Sequence, residues 1–386
     1  MTVRENVIRE KIYLYTYIVY IITMVLFTSA FAVYFPLELS KLVKLLSVIV
    51  LLTNDLMNSE YTLKRLIIAI LLLILGLVSY FIVPDGLLVS SLMFIFCAHG
   101  ISFRKIALST IYVLSFMLML IIICAKTGVI ADYMDITLFR ERDYLGFLYP
   151  LYPASLFCNI VFLYTYYRRW SIPWCAILFL TIINTLMLIY TDARLSGGLV
   201  YIFLFTICIC KMFGIYDIKN RLISTLIISS YILCCAVSIY VTLSYNSSDI
   251  DYVLADYVLS GRLALGYKAL ITYPITMFGT KLPLVGNGLD VNGLKSSLEY
   301  FWIDCVYIKL LLQYGLIIFI LYLLAFTRLL YICHIRKKLI LMIIIMLMGV
   351  HGMIGDEIIY LTYNPFLLLI GTEFSVQKNT ADNCSE

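Results

Sequence analysis

Charged residues are scarce in this sequence. Of its 386 residues, 13% are charged and 63% are hydrophobic, and the mean hydropathy is +1.00. A soluble domain carries about 25% charged residues, so this composition excludes an ordinary water-soluble fold. In lipid, helices satisfy their own backbone hydrogen bonds. We therefore predict an all-α polytopic membrane protein with one integral membrane domain over 1–386.

The sequence also lacks the clusters that hold metals or disulfides. It has 3 histidines and 11 scattered cysteines, without a Cys-x-x-Cys pair or a Cys/His cluster. Neither a zinc site nor a disulfide framework is therefore expected. Asp249 and Asp251 have the spacing of a metal-binding pair, but acidic residues at the start of a helix account for them fully. We expect no metal and no cofactor.

Common catalytic motifs are absent as well. The chain has no Walker loop, no Gly-x-Ser-x-Gly elbow and no His-Glu-x-x-His pair, and it has no internal repeat. Its basic residues mostly follow the alternation expected of membrane topology, so nucleic acid is not an expected partner.

Long apolar runs fill most of the chain. A helix needs about 20 apolar residues to cross a bilayer, and on that rule we predict about twelve spans. Ten or eleven spans are the alternative, because two runs are short and the last one is interrupted. The predicted spans are 12–34, 37–54, 66–84, 86–101, 106–125, 147–167, 172–191, 195–213, 222–245, 301–327, 338–355 and 357–373.

The basic residues orient these spans. Cytoplasmic loops carry an excess of lysine and arginine. Basic pairs lie at 64–65, 104–105 and 168–169, on every second turn, whereas the intervening turn 84–86 has none. The pattern predicts that both termini are cytoplasmic and that the segment 246–300 is a large extracytoplasmic loop.

The segment 246–300 is the one long polar interval. Loops longer than about 15 residues are usually functional or disordered, and this one is too rich in aromatic and aliphatic residues to be disordered. Its first half has a helical stripe of apolar residues that ends at Tyr273 and Pro274. We predict one helix along the outer membrane surface, followed by an irregular glycine-rich run.

Four arginines lie on the predicted outer side, where the topology rule does not place them. Arg194, which follows Asp192 and precedes two glycines, and Arg262, in the surface helix, suit an anionic ligand. A guanidinium binds phosphate with two parallel hydrogen bonds. The alternative for Arg194 is structural pairing with Asp192 at the membrane interface, and the alternative for Arg262 is snorkelling from the polar face of its helix. Arg140 and Arg142 alternate with acidic residues, so they either bind a ligand or form a self-neutralising loop.

Proton-transfer candidates lie towards the end of the chain. His351 is the one histidine on the predicted outer side, where it either packs between helices or acts as a proton acceptor or phosphate partner. Asp356 and Glu357 follow on the same turn as candidate general bases. Asp304 and Lys309 enter a span five residues apart, which is not an ideal helical pairing, so the loop is the alternative partner of each.

Tyrosine is abundant, with 32 residues, and several lie on predicted outer segments, including Tyr257 and Tyr267. An aromatic belt at the membrane interface accounts for many of them. Tyrosine and tryptophan faces also pack against sugar rings, so the surplus agrees with a carbohydrate substrate.

From about Asp192 to Phe366, the chain resembles the Wzy-type polymerases of O-antigen and capsule repeat units, which are related to the O-antigen ligases. The resemblance rests on the arginine before small residues at a span end, on SGRLALGYKAL, on the glycine run LVGNGL, on IDCVYIKLLLQYGL, and on HGMIGDE followed by YNPF. It implies an integral-membrane glycosyltransferase of the bacterial inner membrane, acting in lipopolysaccharide or capsule biosynthesis. The implied substrates are oligosaccharides linked to undecaprenyl diphosphate.

The resemblance also implies roles for the candidate residues. Arg194 and Arg262 would hold the diphosphate, with Arg140 or Arg142 assisting, and His351 would lie near the acceptor hydroxyl or the diphosphate. A metal is not needed if arginines do this work. The expected partners are membrane lipid, a chain-length regulator and a flippase, and the spans would leave a lateral groove for polyprenyl tails. The expected substrate-binding residues are Arg140, Arg142, Asp192, Asp304, Asp356, Tyr257 and Tyr267.

Three other functions stay open on the sequence alone. A transporter or flippase of a lipid-linked sugar would have charges at mid-membrane, matching broken helices and a repeat. A membrane O-acyltransferase would need a histidine–acid pair, for which His351 and Asp356 are the candidates. A non-catalytic assembly partner would tolerate substitution of its arginines.

Overall fold

The computed structural model describes residues 3–58, 62–137 and 140–373, and the chain is mostly helical. The helices are α1 Val3–Phe27, α2 Glu38–Asn58, α3 Leu63–Ile82, α4 Leu87–Cys97, α5 Phe103–Lys126, α6 Tyr152–Arg168, α7 Trp174–Thr191, α8 Arg194–Phe213, α9 Arg221–Ile228, α10 Ser230–Leu243, α11 Ile250–Val258, α12 Arg262–Thr272, α13 Val306–Lys309, α14 Gly315–Ile335, α15 Leu339–His351 and α16 Leu369–Glu373. Single 3-10 turns lie at Ala30–Tyr34, Arg169–Ser171, Glu357–Ile359 and Pro365–Leu368.

Six helical segments of the described chain are long and apolar enough to cross a membrane, and a seventh is reached if the bent pair α9 and α10 counts as one span. These segments are Asn6–Phe27, Leu63–Ile82, Phe103–Lys126, Trp174–Thr191, Arg194–Phe213 and Val306–Ile335. The protein is therefore a helical membrane protein, as its composition predicts.

The expected count of twelve spans exceeds this number, and five predicted spans account for the difference. In 86–101 and 338–355 the helices have only 11 and 13 residues, and α6 in 147–167 has 17. The helix in 37–54 carries Glu38, Lys41 and Lys44. The last segment, 357–373, consists of two 3-10 turns and a five-residue helix.

A short β-hairpin is the exception to the predicted all-α fold. Strands β1 (Met134–Thr137) and β2 (Arg140–Asp143) pair antiparallel, with Met134 opposite Asp143. Successive side chains of a strand point to opposite faces, so Arg140 and Arg142 share one face of β2. Neither alternative considered for Arg140 and Arg142, a ligand site or a self-neutralising loop, anticipates a strand here.

The predicted surface helix is two helices, α11 and α12. The break lies at Ser260 and Gly261, which adopt φ angles of +60° and +82°. The Asp256 carboxylate accepts hydrogen bonds from the backbone N–H groups of Leu263 and Ala264, at 2.8 and 3.1 Å. This caps the new helix. Arg262 is consequently the first residue of α12 rather than a late residue of a single helix.

The loop returns to the bundle through a π turn, Leu310–Tyr314, between α13 and α14. The chain at 276–280 packs tightly against this turn, since a Cβ on Gly279 would lie 2.1 Å from the Gln313 carbonyl oxygen. Thr280 N–H donates to the Leu312 carbonyl at 2.9 Å. The loop therefore supplies partners for backbone groups that the irregular turn leaves free.

The apolar core runs through the bundle and includes α15, which is buried on nearly all sides. A helix that is hydrophobic all round belongs in a protein interior. The irregular chain after α15 is also buried, and its carbonyls are satisfied by side chains. Asn159 Nδ2 donates to Thr362 O at 3.2 Å, and Asn364 Nδ2 donates to Ile358 O at 2.9 Å. This buried turn forms the floor under the loop.

Candidate functional site

A cavity of about 1230 Å³ lies between the loop and the buried turn after α15. Its walls come from the end of α1, the β-hairpin, the α7–α8 junction, the α11–α12 junction, the glycine-rich run and the segment 354–363. Seven of the ten residues that the sequence singles out line it. They are Arg140, Arg142, Asp192, Arg194, Arg262, Asp304 and Asp356.

One wall carries the arginine cluster, defined here as Arg140, Arg142, Asp192 and Arg194. Asp192, in a left-handed conformation at the end of α7, receives both neighbouring arginines. Its Oδ2 lies 2.7 Å from Arg140 Nε, and its Oδ1 lies 2.9 Å from Arg194 Nε. Two guanidinium groups thus share one carboxylate, and with Arg142 included the cluster carries a net charge of about +2.

Arg142 is the least satisfied member of the arginine cluster. It has no ion pair with any described residue, and its buried Nε has no hydrogen-bond partner there. Burial lowers the pKa of the Arg140 guanidinium, and the positive charges of Arg142 and Arg194 act in the same direction. Buried donors and uncompensated positive charge favour an anionic ligand at this wall.

Arg262 and Asp304 form a second ion pair that lines the cavity. Arg262 Nε lies 3.1 Å from Asp304 Oδ2, and Arg262 Nη1 donates to the Leu259 carbonyl at 3.2 Å. Burial raises the pKa of the Asp304 carboxyl to about 7, although the charge of Arg262 opposes that shift. Asp304 therefore exchanges a proton near neutral pH.

Two further carboxylates, Asp356 and Glu357, line the cavity, and each has a buried basic partner. Asp356 accepts a hydrogen bond from Lys309 Nζ. Lys309 is 1% exposed, and its Nζ lies 4.0 Å from the centroid of the Trp302 ring. A buried charge of this kind is tolerated because its partner is adjacent. Lys309 thus has a structural role that its sequence position alone did not disclose.

The carboxylate that pairs with His351 is that of Glu357, not that of Asp356. His351 Nε2 lies 3.0 Å from Glu357 Oε1, which also accepts a hydrogen bond from Ser155 Oγ at 2.9 Å. Burial opposes ionisation of Glu357, but the His351 pair lowers the pKa of that carboxyl to about 2. A Cβ on Gly355 would lie 2.7 Å from Glu357 Oε2, so a glycine permits this close packing.

His351 itself is buried and does not line the cavity, which it reaches only through Glu357. The His351–Asp356 pair considered for an acyltransferase is not formed. Glu357 was named as a general-base candidate but left out of the expected site. Its spacing of six from His351, across a glycine turn, was the available signal.

The two tyrosines singled out from the sequence lie away from the cavity. Tyr257 is 78% exposed, and the ring of Tyr267 packs against Tyr245 with centroids 5.9 Å apart. Other aromatic residues line the cavity instead, and sequence reasoning did not separate them from the aromatic belt. They are Tyr20, Phe27, Tyr149, Tyr152, Tyr300, Trp302, Tyr360 and Tyr363.

The glycine-rich run closes the cavity from above. Leu289 N–H donates to the Leu148 carbonyl at 2.8 Å, and a Cβ on Gly288 would lie 3.5 Å from that same oxygen. Lys295 Nζ forms an ion pair with Asp135 Oδ1 of the hairpin at 2.8 Å. These contacts hold the run against the arginine cluster.

A separate apolar groove of about 440 Å³ lies on the flank of the bundle, and we call it the lateral groove. α3 supplies one wall, and Phe278, Ile317 and Leu321 supply the other. Every side chain that lines it is apolar, so it suits a hydrocarbon chain.

The cavity thus combines a cationic wall, a carboxyl group that titrates near neutrality and a set of aromatic side chains. Within residues 3–58, 62–137 and 140–373, no three metal-ligating side chains come together. The arrangement can bind an anion, accept a proton and pack against rings. Comparisons with protein-family models, with curated proteins and with solved structures give no match to this chain.

Proposed function

We propose that this protein is an oligosaccharide repeat-unit polymerase. It is an integral-membrane glycosyltransferase that joins undecaprenyl-diphosphate-linked repeat units into O-antigen or capsular polysaccharide. The single observation that carries the proposal is the convergence of four arginines on one cavity, from the hairpin, α8 and α12. Those arginines come from three separate segments of the chain, and two carboxylates, Asp192 and Asp304, form ion pairs with three of them.

The charge of the arginine cluster matches the leaving group of this reaction. The donor is a growing polysaccharide on a lipid diphosphate, and negative charge builds on the diphosphate as its bond to the sugar breaks. Preorganised guanidinium groups stabilise such charge most where water is excluded. Arg142 has free donors for a phosphate oxygen, and Arg140 and Arg194 are held in place by Asp192.

The size and lining of the cavity favour glycan substrates. Pockets for small ligands measure about 300–1,000 Å³, and this cavity of about 1230 Å³ is larger. It has room for sugars of both a donor and an acceptor. Tyr149, Tyr300 and Trp302 line the same cavity as Asp304, so aromatic faces are available to sugar rings.

The lipid part of the substrate requires a path along the membrane. The lateral groove supports this part of the proposal, because its lining is entirely apolar. In this proposal the loop side faces the outside of the bacterial plasma membrane and both termini are cytoplasmic. The count of twelve spans stays a prediction, as do a chain-length regulator and a flippase as partners.

A membrane O-acyltransferase is the second candidate. The buried His351–Glu357 pair, with Ser155 bonded to the same carboxylate, is the observation that favours it. The position of His351 behind the cavity wall argues against direct attack or proton transfer by its imidazole. A transporter is less well supported, since the cavity charges cluster at the loop side.

The test is polysaccharide length in a strain whose own copy is deleted. The strain is complemented with wild type, Arg142→Ala, Arg194→Ala or the control Lys268→Ala, and membrane levels are measured in parallel. Lys268 lies in the same loop, but its partner is the exposed Glu299. Long chains with wild type and the control, and single repeat units with the two arginine variants, are expected. Loss of single-unit product in the deletion strain would instead indicate a flippase.

A further inference from the structure

We propose that Asp304 is the general base that accepts the proton of the acceptor hydroxyl. This inference rests on the proposed function and assigns the proton-transfer step within the same cavity. It concerns a residue that the sequence indicated only as a substrate contact.

The carboxylates that line the cavity differ in the side chains and backbone groups that they already contact. Asp356 is held by Lys309, and Glu357 is held by His351, and both of those basic side chains are buried and do not line the cavity. The remaining acids are also committed. Asp192 receives two arginines, Asp135 pairs with Lys295, and Asp290 accepts backbone N–H bonds of its own turn.

Asp304 differs from Asp356 and Glu357 because its ion-pair partner, Arg262, lines the cavity as well. Arg262 Nε forms the ion pair with Asp304, and Arg262 Nη1 donates a hydrogen bond to the Leu259 carbonyl. A guanidinium has five N–H donors, so further donors of Arg262 are available to a phosphate oxygen. Arg262 therefore fixes the carboxyl group beside the anion site. The charges of Arg142, Arg262 and Asp304 all act on Tyr149, which supports the proximity of the two walls.

The surroundings tune Asp304 for proton transfer near neutral pH. Burial raises its pKa most, and the negative charges of Asp356 and Glu357 raise it further. The positive charges of Arg262 and Lys309 lower it, and the balance is about 7. Tyr149 and Tyr300 are two further titratable groups near Asp304. A base works best when its pKa lies near the working pH, whereas Glu357, at about 2, is a weak base.

In this step one bond forms and one bond breaks. The acceptor hydroxyl oxygen forms a bond to the anomeric carbon of the donor sugar, and its proton passes to an Asp304 carboxylate oxygen. The bond between that carbon and the diphosphate oxygen breaks, and the electron pair leaves with the lipid diphosphate. The arginine cluster receives the added negative charge. Asp304 then releases the proton to water.

The test compares purified wild type with Asp304→Asn, Asp304→Glu and the control Glu299→Gln. Glu299 belongs to the same segment as Asp304 but is 85% exposed. Polymer formation from a lipid-linked repeat unit is measured from about pH 5.5 to 8.5, spanning the Asp304 pKa. Binding of undecaprenyl diphosphate is measured on the same samples.

We expect the wild-type rate to rise as pH increases through about 7, since only ionised Asp304 accepts a proton. General-base catalysis contributes about 10²–10⁴-fold, so Asp304→Asn is expected to lose at least about 100-fold in rate and to lose the pH dependence. Asp304→Glu should recover part of the rate. Undecaprenyl diphosphate binding should be preserved in all variants, because the arginines remain.

Three results would overturn the assignment. Asp304→Asn could retain the wild-type rate, the wild-type rate could be flat through pH 7, or Asp304→Asn could lose binding together with rate. The last result would make Asp304 a positioning residue for Arg262. A wild-type protein that binds undecaprenyl diphosphate but forms no polymer would contradict the proposed function itself, which is a distinct failure.

Discussion

The two ends of the bundle each place two arginines on one aspartate, with opposite consequences. At the end away from the loop, Asp55 receives Arg9 and Arg65, with both contacts at 2.9 Å. Asp55 is 1% exposed, and Arg9 also donates to the carbonyls of Cys97 and His99. We call this group the buried cluster. In the arginine cluster, by contrast, the Arg194 side chain is 69% exposed and opens on a cavity.

The difference lies in what satisfies the remaining donors. In the buried cluster, backbone carbonyls of the α4 end take up donors of Arg9, and Asn54 donates to the Arg9 carbonyl at 3.0 Å. The group therefore joins α1, α2 and α3 and serves the fold. In the arginine cluster, Arg142 adds a third positive charge with no described partner. The same residue types stabilise the fold in the buried cluster and leave positive charge for an anion in the arginine cluster.

Asp55→Ala is expected to have the largest effect on stability. It would leave two arginines near the protein interior without their carboxylate, and removing one partner of a buried ion pair costs about 3–5 kcal/mol. Thermal unfolding of the purified protein in detergent measures the loss. The control is Asp217→Ala, whose contact with the exposed Lys337 spans 3.7 Å and should contribute little. Equal stability of both variants would contradict a structural role for the buried cluster.

Glu357 is an intermediate case. Like Asp55 in the buried cluster it has a buried partner, and like the arginine cluster it lines the cavity. Its folded pKa of about 2 lies below the ordinary 4.5. Ionised Glu357 therefore stabilises the fold above about pH 4.5, and this contribution is lost as pH falls towards 2. A shift of this size corresponds to about 3 kcal/mol.

Unfolding of wild type and Glu357→Gln as a function of pH tests this point. Wild type should be the more stable protein at neutral pH, and the gap should close on acidification. Glu141→Gln, an exposed carboxylate on β2, is the control and should follow wild type throughout. A constant gap at all pH values would show that the pair with His351 does not depend on the charge of Glu357.

Tyr257→Ala is expected to have the smallest effect. The side chain is 78% exposed and lies outside the cavity, and surface substitutions usually change stability by less than about 0.5 kcal/mol. Polymer length and unfolding should both match wild type. A shortened polymer would mean that substrate extends over α11, so the site would be larger than the cavity.

The sequence alone predicts the long helices and singles out the candidate arginines. It does not predict which side chains pair with one another. Apolar runs such as Phe103–Lys126 identify themselves, because lipid admits only segments of this kind. The run 338–355 shows why apolar runs alone do not fix the number of spans, because a helix buried in protein is as apolar as one in lipid. The alternation in Arg140–Asp143 carried the signal for a strand that places both arginines on one face.

Pairings across long stretches of chain were beyond sequence reasoning. Lys309 and Asp356 are separated by 47 residues, and the Arg140–Asp192 contact joins a strand to a helix end. No local pattern encodes such contacts, since they depend on how the helices pack. The same packing decides that His351 contacts Glu357 rather than its other acidic neighbour.

The most direct test of the central claim is binding of undecaprenyl diphosphate to the purified protein. Wild type, Arg142→Ala and Lys268→Ala are compared at fixed ionic strength, with the neutral polyprenol undecaprenol as the reference ligand. The account predicts that wild type and Lys268→Ala bind the diphosphate alike, and that Arg142→Ala binds at least about tenfold more weakly, because a charge-assisted hydrogen bond contributes about 1.5–3 kcal/mol. Equal binding by wild type and Arg142→Ala would contradict an anion site at the arginine cluster.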